Sequence, residues 1–144
     1  MRIVLDTTIL VRATEKSQGP ARQLLLEIIG RRHSLVLSNE ILSETARVLR
    51  YPRLQAFYGL SEARTYEFIG LLREVAEIVV LSPFLILPSR DANDVVVLQT
   101  AILCDADVLC TKDEDFYNPP ASEFLQKSAI AVMDDVSLLQ RLRE

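Results

Sequence analysis

The chain has 144 residues, the length of one domain, and residues 1–144 read as a single unit. Hydrophobic residues make up 49% and charged residues 25%, so a chain of this length buries a core without disulfide or metal staples. No stretch approaches the roughly 18 uninterrupted apolar residues of a membrane span, and the net charge of −4 gives no overall field that draws nucleic acid.

The opening MRIVLDTT reaches an acid at Asp6. That is too early for a signal-peptide core, so a cytoplasmic protein is expected. Arg2 to Leu5 is a buried-type strand that ends at Asp6. Thr7 and Thr8 follow, and Ile9 to Val11 begin a helical segment that Gly19-Pro20 interrupts. Pro20 starts a new helix, with Leu24, Leu25, Ile28 and Ile29 on its apolar face and Gly30 at its end. Leu35 to Leu37 is a second strand. Ser38 or Asn39 caps a helix that runs to about Arg50, where Tyr51-Pro52 stops it. Ser61 caps the next helix, whose stripe is Phe68, Ile69, Leu72, Val75 and Ala76.

Ile78 to Leu81 is a third strand, and Ser82 to Pro88 a proline-bounded apolar loop. Asn93 to Cys104 is a helix, and Val108 to Cys110 a fourth strand. Pro119-Pro120 marks a loop, and Ala121 to Gln126 a short helix. Ala129 to Met133 is a fifth strand and Val136 to Arg143 a closing helix. Strands that alternate with helices, each a continuous apolar run, predict parallel βαβ units. The expected fold is a three-layer α/β/α sandwich around a parallel sheet of about five strands. Its ligand site lies outside the carboxyl ends of the strands.

Cys104 and Cys110 sit where apolar residues are expected and read as small core hydrophobes. With His33 they make no structural zinc site, so a metal here is held mainly by oxygen. The acids carry that possibility. Asp6 leaves the first strand at the ligand edge; the alternative is a helix cap. Glu44 lies on a ridge with Ile41 and Val48, where burial calls for a cationic partner. A metal is one candidate and Arg47 another. Glu40 shares that ridge, but its place in the first helical turn is explained by the helix dipole.

Asp91 and Asp94 open the long helix. Asp91 reads as its cap, whereas Asp94 also points out of the helix end. Asp113 follows the fourth strand, and Asp115 is either a second ligand or the cap of the next turn. Asp105 and Asp107 lie at the opposite end of the sheet, and neither they nor Glu114 is assigned chemistry. Converging carboxylates repel and resist ionisation unless a cation joins them. All-oxygen ligands suit Mg²⁺ or Mn²⁺, and carboxylate-held Mg²⁺ serves phosphoryl transfer or phosphodiester hydrolysis. A phosphoacceptor domain would need an acid pair after the first strand and an Asp after the third, and Leu81-Ser82-Pro83 does not supply it. The basic residues are 13 Arg and 3 Lys. Several lie between Arg47 and Arg73, and Arg suits bidentate phosphate contacts. An ordinary solvated surface is the alternative.

VLDTT, SNEILSE, RDANDVVVLQTA and ADVLCTKDEDF, in this order and across essentially the whole chain, resemble the PIN domain. More narrowly they resemble the VapC-like toxin component of toxin–antitoxin systems. The resemblance implies a metal-dependent endoribonuclease in which Asp6, Glu44, Asp94 and Asp113 are the catalytic metal ligands, with Asp115 an accessory ligand. It implies Mg²⁺ or Mn²⁺ as cofactor, RNA as substrate, an antitoxin protein as partner and a homodimer, with residues 82–88 a candidate contact surface. A catalytically inactive RNA-binding or scaffold module on the same fold is the alternative. Two positions depart from the family pattern. Thr8 stands where Asn is usual, and its hydroxyl is still able to donate to Asp6. Lys112 stands between Thr111 and Asp113, where Gly or Asn is frequent, and so puts a cation beside the acids.

Overall fold

The computed structural model describes residues 1–30, 33–83 and 92–144. Five parallel strands form the centre: β1 (Arg2–Leu5), β2 (Ser34–Ser38), β3 (Glu77–Val79), β4 (Val108–Cys110) and β5 (Ala131–Met133). Their order is β3-β2-β1-β4-β5. The helices are α1 (Thr7–Leu10), α2 (Pro20–Gly30), α3 (Asn39–Leu49), α4 (Pro52–Tyr58), α5 (Glu62–Val75), α6 (Ala92–Leu103), α7 (Ala121–Lys127) and α8 (Asp135–Arg143). They flank the sheet as the expected α/β/α sandwich. No helix among the described residues is long and apolar enough to cross a membrane.

The three inner strands are buried along their apolar runs: Ile3, Val4 and Leu5; Leu35, Val36 and Leu37; Val108, Leu109 and Cys110. Helices on both faces account for this, because water reaches neither side. Both cysteines are free and buried. Burial pushes the Cys110 thiol well up, so it behaves as a core hydrophobe.

The strand order reverses direction between β1 and β4. From β1 the chain moves outward through β2 to β3, then returns to the other side of β1. Such a switch point opens a crevice at the carboxyl ends of the strands. Leu5 lies opposite Cys110 in the register. The next residues, Asp6 and Thr111, therefore emerge side by side. At the other end of the sheet Asp107 accepts from the Arg2 backbone N–H at 2.7 Å, and the Arg2 guanidinium pairs with Glu77 at 2.9 Å. That end is closed by structural bonds.

Several elements differ from expectation. Tyr51-Pro52 ends α3 but also begins α4, with Pro52 in its first turn and Gly59 at φ 62 ending it. Pro inside the start and Gly past the end is the usual helix asymmetry. No residue of α4 is buried, so no apolar stripe announces it. The third strand covers Glu77–Val79 rather than 78–81, and the fifth is shorter than expected at Ala131–Met133. Glu114–Tyr117 is a 3-10 helix, capped by Asp113. Asp91 and residues 84–88 of the expected loop lie outside the described residues.

Candidate functional site

Asp6 is 3% exposed and caps α1, with its Oδ1 accepting from the Ile9 N–H at 3.2 Å. The cap does not exhaust it. The same oxygen accepts from the Thr8 hydroxyl at 2.5 Å, and Oδ2 accepts from the Thr111 hydroxyl. Burial raises the Asp6 carboxyl above the ordinary carboxylate range. The donations from Thr111, Thr8 and Ile9 oppose that shift, and the charge of Asp113 adds to it. The hydroxyls of Thr8 and Thr111 also tie β1 to the turn after β4. Thr8 accepts from the Lys112 N–H at 3.3 Å, and Thr111 from the Asp113 N–H at 3.0 Å. Thr8 thus makes the donation to Asp6 that its hydroxyl allows.

Asp94 is in the first turn of α6 and is 8% exposed. Asp113 is half-buried and accepts from the Asp115 N–H at 3.0 Å. One carboxylate oxygen from each of Asp94, Asp113 and Asp115 lies within 4.8 Å of the others. At this spacing three ionised carboxylates repel, and a divalent cation between them would remove the repulsion. Their hard oxygen donors fit Mg²⁺ or Mn²⁺. Asp115, read from sequence as an accessory, is an equal member of this trio by distance.

Asp6 and Glu44 stand outside the trio but share a cavity with two of its members, Asp94 and Asp113. A cleft of about 620 Å³ is lined by Asp6, Thr8, Glu44, Asp94 and Asp113, with Arg47 on its wall. Glu44 is held by the Arg47 guanidinium, with Nη2 at 2.6 Å from Oε1 and Nε at 3.1 Å from Oε2. The ion pair foreseen as the alternative partner is therefore present. Arg47 is steadied in turn by Tyr51: its Nη1 lies 2.5 Å from the phenol oxygen, and its guanidinium stands 5.6 Å from the ring centre. Glu40 lines the same cleft, so the choice between the two glutamates rests on burial. Glu40 is exposed and Glu44 half-buried.

The position of α3 is set by Ser38. Its hydroxyl caps the helix by accepting from the Ile41 N–H at 3.3 Å, and it lies 2.9 Å from the Thr100 hydroxyl of α6. This buried link fixes α3, which bears Glu44, against α6, which bears Asp94.

Three residues escaped the sequence reading. Asn39 and Asn93 line the cleft. Asn39 was weighed there only as a cap, and it accepts from Arg73 at 2.6 Å. Asp135 is wholly buried, and its Oδ1 lies 3.6 Å from the Lys112 ammonium. Lys112 is not part of the cleft wall. No sequence signal joins residues 112 and 135, because their meeting depends on β4 pairing with β5.

A family model described as the PIN domain matches residues 2–115. No curated protein matches the chain. Among solved structures, the crystal structure of VapBC2 from Rickettsia felis bound to a DNA fragment from their promoter contains a similar chain. It is 17% identical, with a TM-score of 0.62, covering 93% of this chain and 98% of that one. At that identity the likeness is one of fold.

Proposed function

The chain belongs to the PIN domain family, and on that premise we propose that it is a metal-dependent endoribonuclease, the toxin of a toxin–antitoxin pair. The observation that carries the reading is the convergence of Asp94, Asp113 and Asp115, the first two of which line a cleft together with Asp6 and Glu44. Asp94, Asp113 and Asp115 would hold Mg²⁺ or Mn²⁺, with Asp6 and Glu44 completing the shell directly or through water. The bound cation would supply activation of water and neutralisation of charge at the scissile phosphate.

The chain's own residues do the rest. Thr8 and Thr111 orient the Asp6 carboxylate and hold it in the cleft. Arg47, on the cleft wall, and Arg73, joined to the rim through Asn39, position RNA by its phosphates. The fold likeness to the VapBC2 chain supports an antitoxin as partner. A homodimer belongs to the same proposal.

The test is cleavage of single-stranded and structured RNA with Mn²⁺ and with EDTA. Asp94→Asn and Asp6→Asn are each expected to slow cleavage on the order of a hundredfold or more, since several kcal/mol of transition-state stabilisation depend on the cation. Equal cleavage by wild type and both variants, or cleavage indifferent to EDTA, would sink the reading.

The Glu44–Arg47 pair favours a second reading, an inactive RNA-binding or scaffold module, because it already satisfies Glu44 without a cation. RNA binding with no cation uptake at millimolar Mg²⁺ or Mn²⁺ would decide for that reading.

A further inference from the structure

Asp135 opens α8 and is fully buried. Its Oδ1 accepts from the Val136 N–H at 3.0 Å. Its Oδ2 is buried with no hydrogen-bond partner among the described residues. A carboxylate oxygen in that state is costly and calls for an explanation. Capping of α8 does not provide one, because Asp134 already caps the helix by accepting from the Ser137 N–H at 2.8 Å.

The cation facing Asp135 is Lys112, with Nζ at 3.6 Å. Lys112 sits between Thr111 and Asp113, so its flexible four-carbon stem starts beside the acidic trio. Three carboxylates at close quarters attract an ammonium as well as a metal. The ammonium nevertheless rests against α8, off the cleft wall.

We propose that Asp135 is a positioning residue whose buried carboxylate draws Lys112 onto α8 and keeps the acidic trio open to a divalent cation. The inference rests on the reading of that trio as a cation site. Asp134 also neighbours Lys112, but its carboxylate is engaged in the helix cap and does not replace Asp135. Without Asp135 the lysine turns to the trio and competes with the metal.

Calorimetric titration with Mn²⁺ alone tests this, with thermal melts to verify folding. Asp135→Asn is expected to weaken Mn²⁺ binding roughly five- to tenfold, the scale of one ion pair near solvent. Lys112→Gln added to Asp135→Asn is expected to restore affinity to within about twofold of wild type, because the competitor is gone. Lys112→Gln alone should change it little. If that single variant fails to fold with Asp135 left uncompensated, the two variants carrying Asp135→Asn still decide, and Asp135→Ser serves if Asp135→Asn does not melt cooperatively. Unchanged binding in Asp135→Asn overturns the proposal. A loss that Lys112→Gln does not reverse overturns it too, since the lysine would then not be the competitor. A wild-type protein that takes up no Mn²⁺ refutes instead the cation site on which the inference rests.

Discussion

Asp6 meets two opposed demands. Its place at the switch point of the sheet buries it, and burial disfavours its charge. Three hydrogen bonds compensate in part. The folded carboxyl therefore keeps its proton to a higher pH than the unfolded one. Between those two values the native state binds more protons, so this contribution to stability falls as pH rises. Below the unfolded value the penalty is absent. Asp6→Asn removes the ionisation. Urea denaturation without metal should show the variant gaining stability over wild type more at pH 7 than at pH 4, and a constant difference would refute this. Arg47 allows a separate test. Arg47→Gln should lower RNA affinity and reduce the slope of log affinity against log salt by about one, if the guanidinium meets a phosphate. An unchanged salt slope would leave Arg47 as a partner of Glu44 and Tyr51 alone. Asp6, Asp94 and Asp113 could be picked out in the sequence because each follows a strand or opens a helix. Asp115 was read as a possible second ligand, but its closeness to Asp94 as well as Asp113 was not legible, since it depends on the 3-10 turn that Asp113 caps.

Two serine caps show how a helix end becomes part of the site. Ser61 caps α5 in solvent and accepts from the Arg64 N–H at 3.1 Å. Ser38 caps α3 in the interior and also meets Thr100 of α6. Ser61→Ala is expected to cost about 1 kcal/mol, the usual value of a cap. Ser38→Ala should cost about 2 kcal/mol, because it also removes the buried hydrogen bond to the Thr100 hydroxyl, which then keeps the Val96 carbonyl at 2.8 Å. On the proposed function it should slow cleavage as well, since α3 and α6 each contribute an acid to the cleft. Equal losses of stability in urea would show that the Ser38–Thr100 contact adds nothing. Both caps were legible, Ser38 as one of two candidates. Helix α4 was missed although Pro52 and Gly59 bracket it, because its faces are solvated and lack an apolar period. The inner strands were read closely because burial on both faces makes their sequences continuously apolar. The edge strands β3 and β5 are only partly buried, and their limits were correspondingly less sharp.

The fold concentrates negative charge at one end of the sheet. With a net charge of −4, the chain has no general attraction for a polyanion, and its acidic cleft repels one. If RNA is the substrate, as proposed, its approach would depend on local cations: a metal held by the acids and arginines such as Arg47 on the cleft wall. Mutual repulsion of the Asp94, Asp113 and Asp115 carboxylates is expected to lower the stability of the metal-free protein. A ligand that binds only the folded state stabilises it by mass action, by about 2.7 kcal/mol at a hundred times its dissociation constant. For a chain of this size that corresponds to a rise in melting temperature of roughly 5–10 °C. Mn²⁺ should produce such a rise in the wild type. The triple variant Asp94→Asn, Asp113→Asn, Asp115→Asn should melt higher than the metal-free wild type, because three clustered charges are gone. It should also lose the response to Mn²⁺. A triple variant that still gained the full increment would place the cation elsewhere. One that melted lower than the metal-free wild type would show that the hydrogen bonds of these carboxylates outweigh their mutual repulsion. The two readouts separate the electrostatic cost of gathering the acids from the use the protein makes of them.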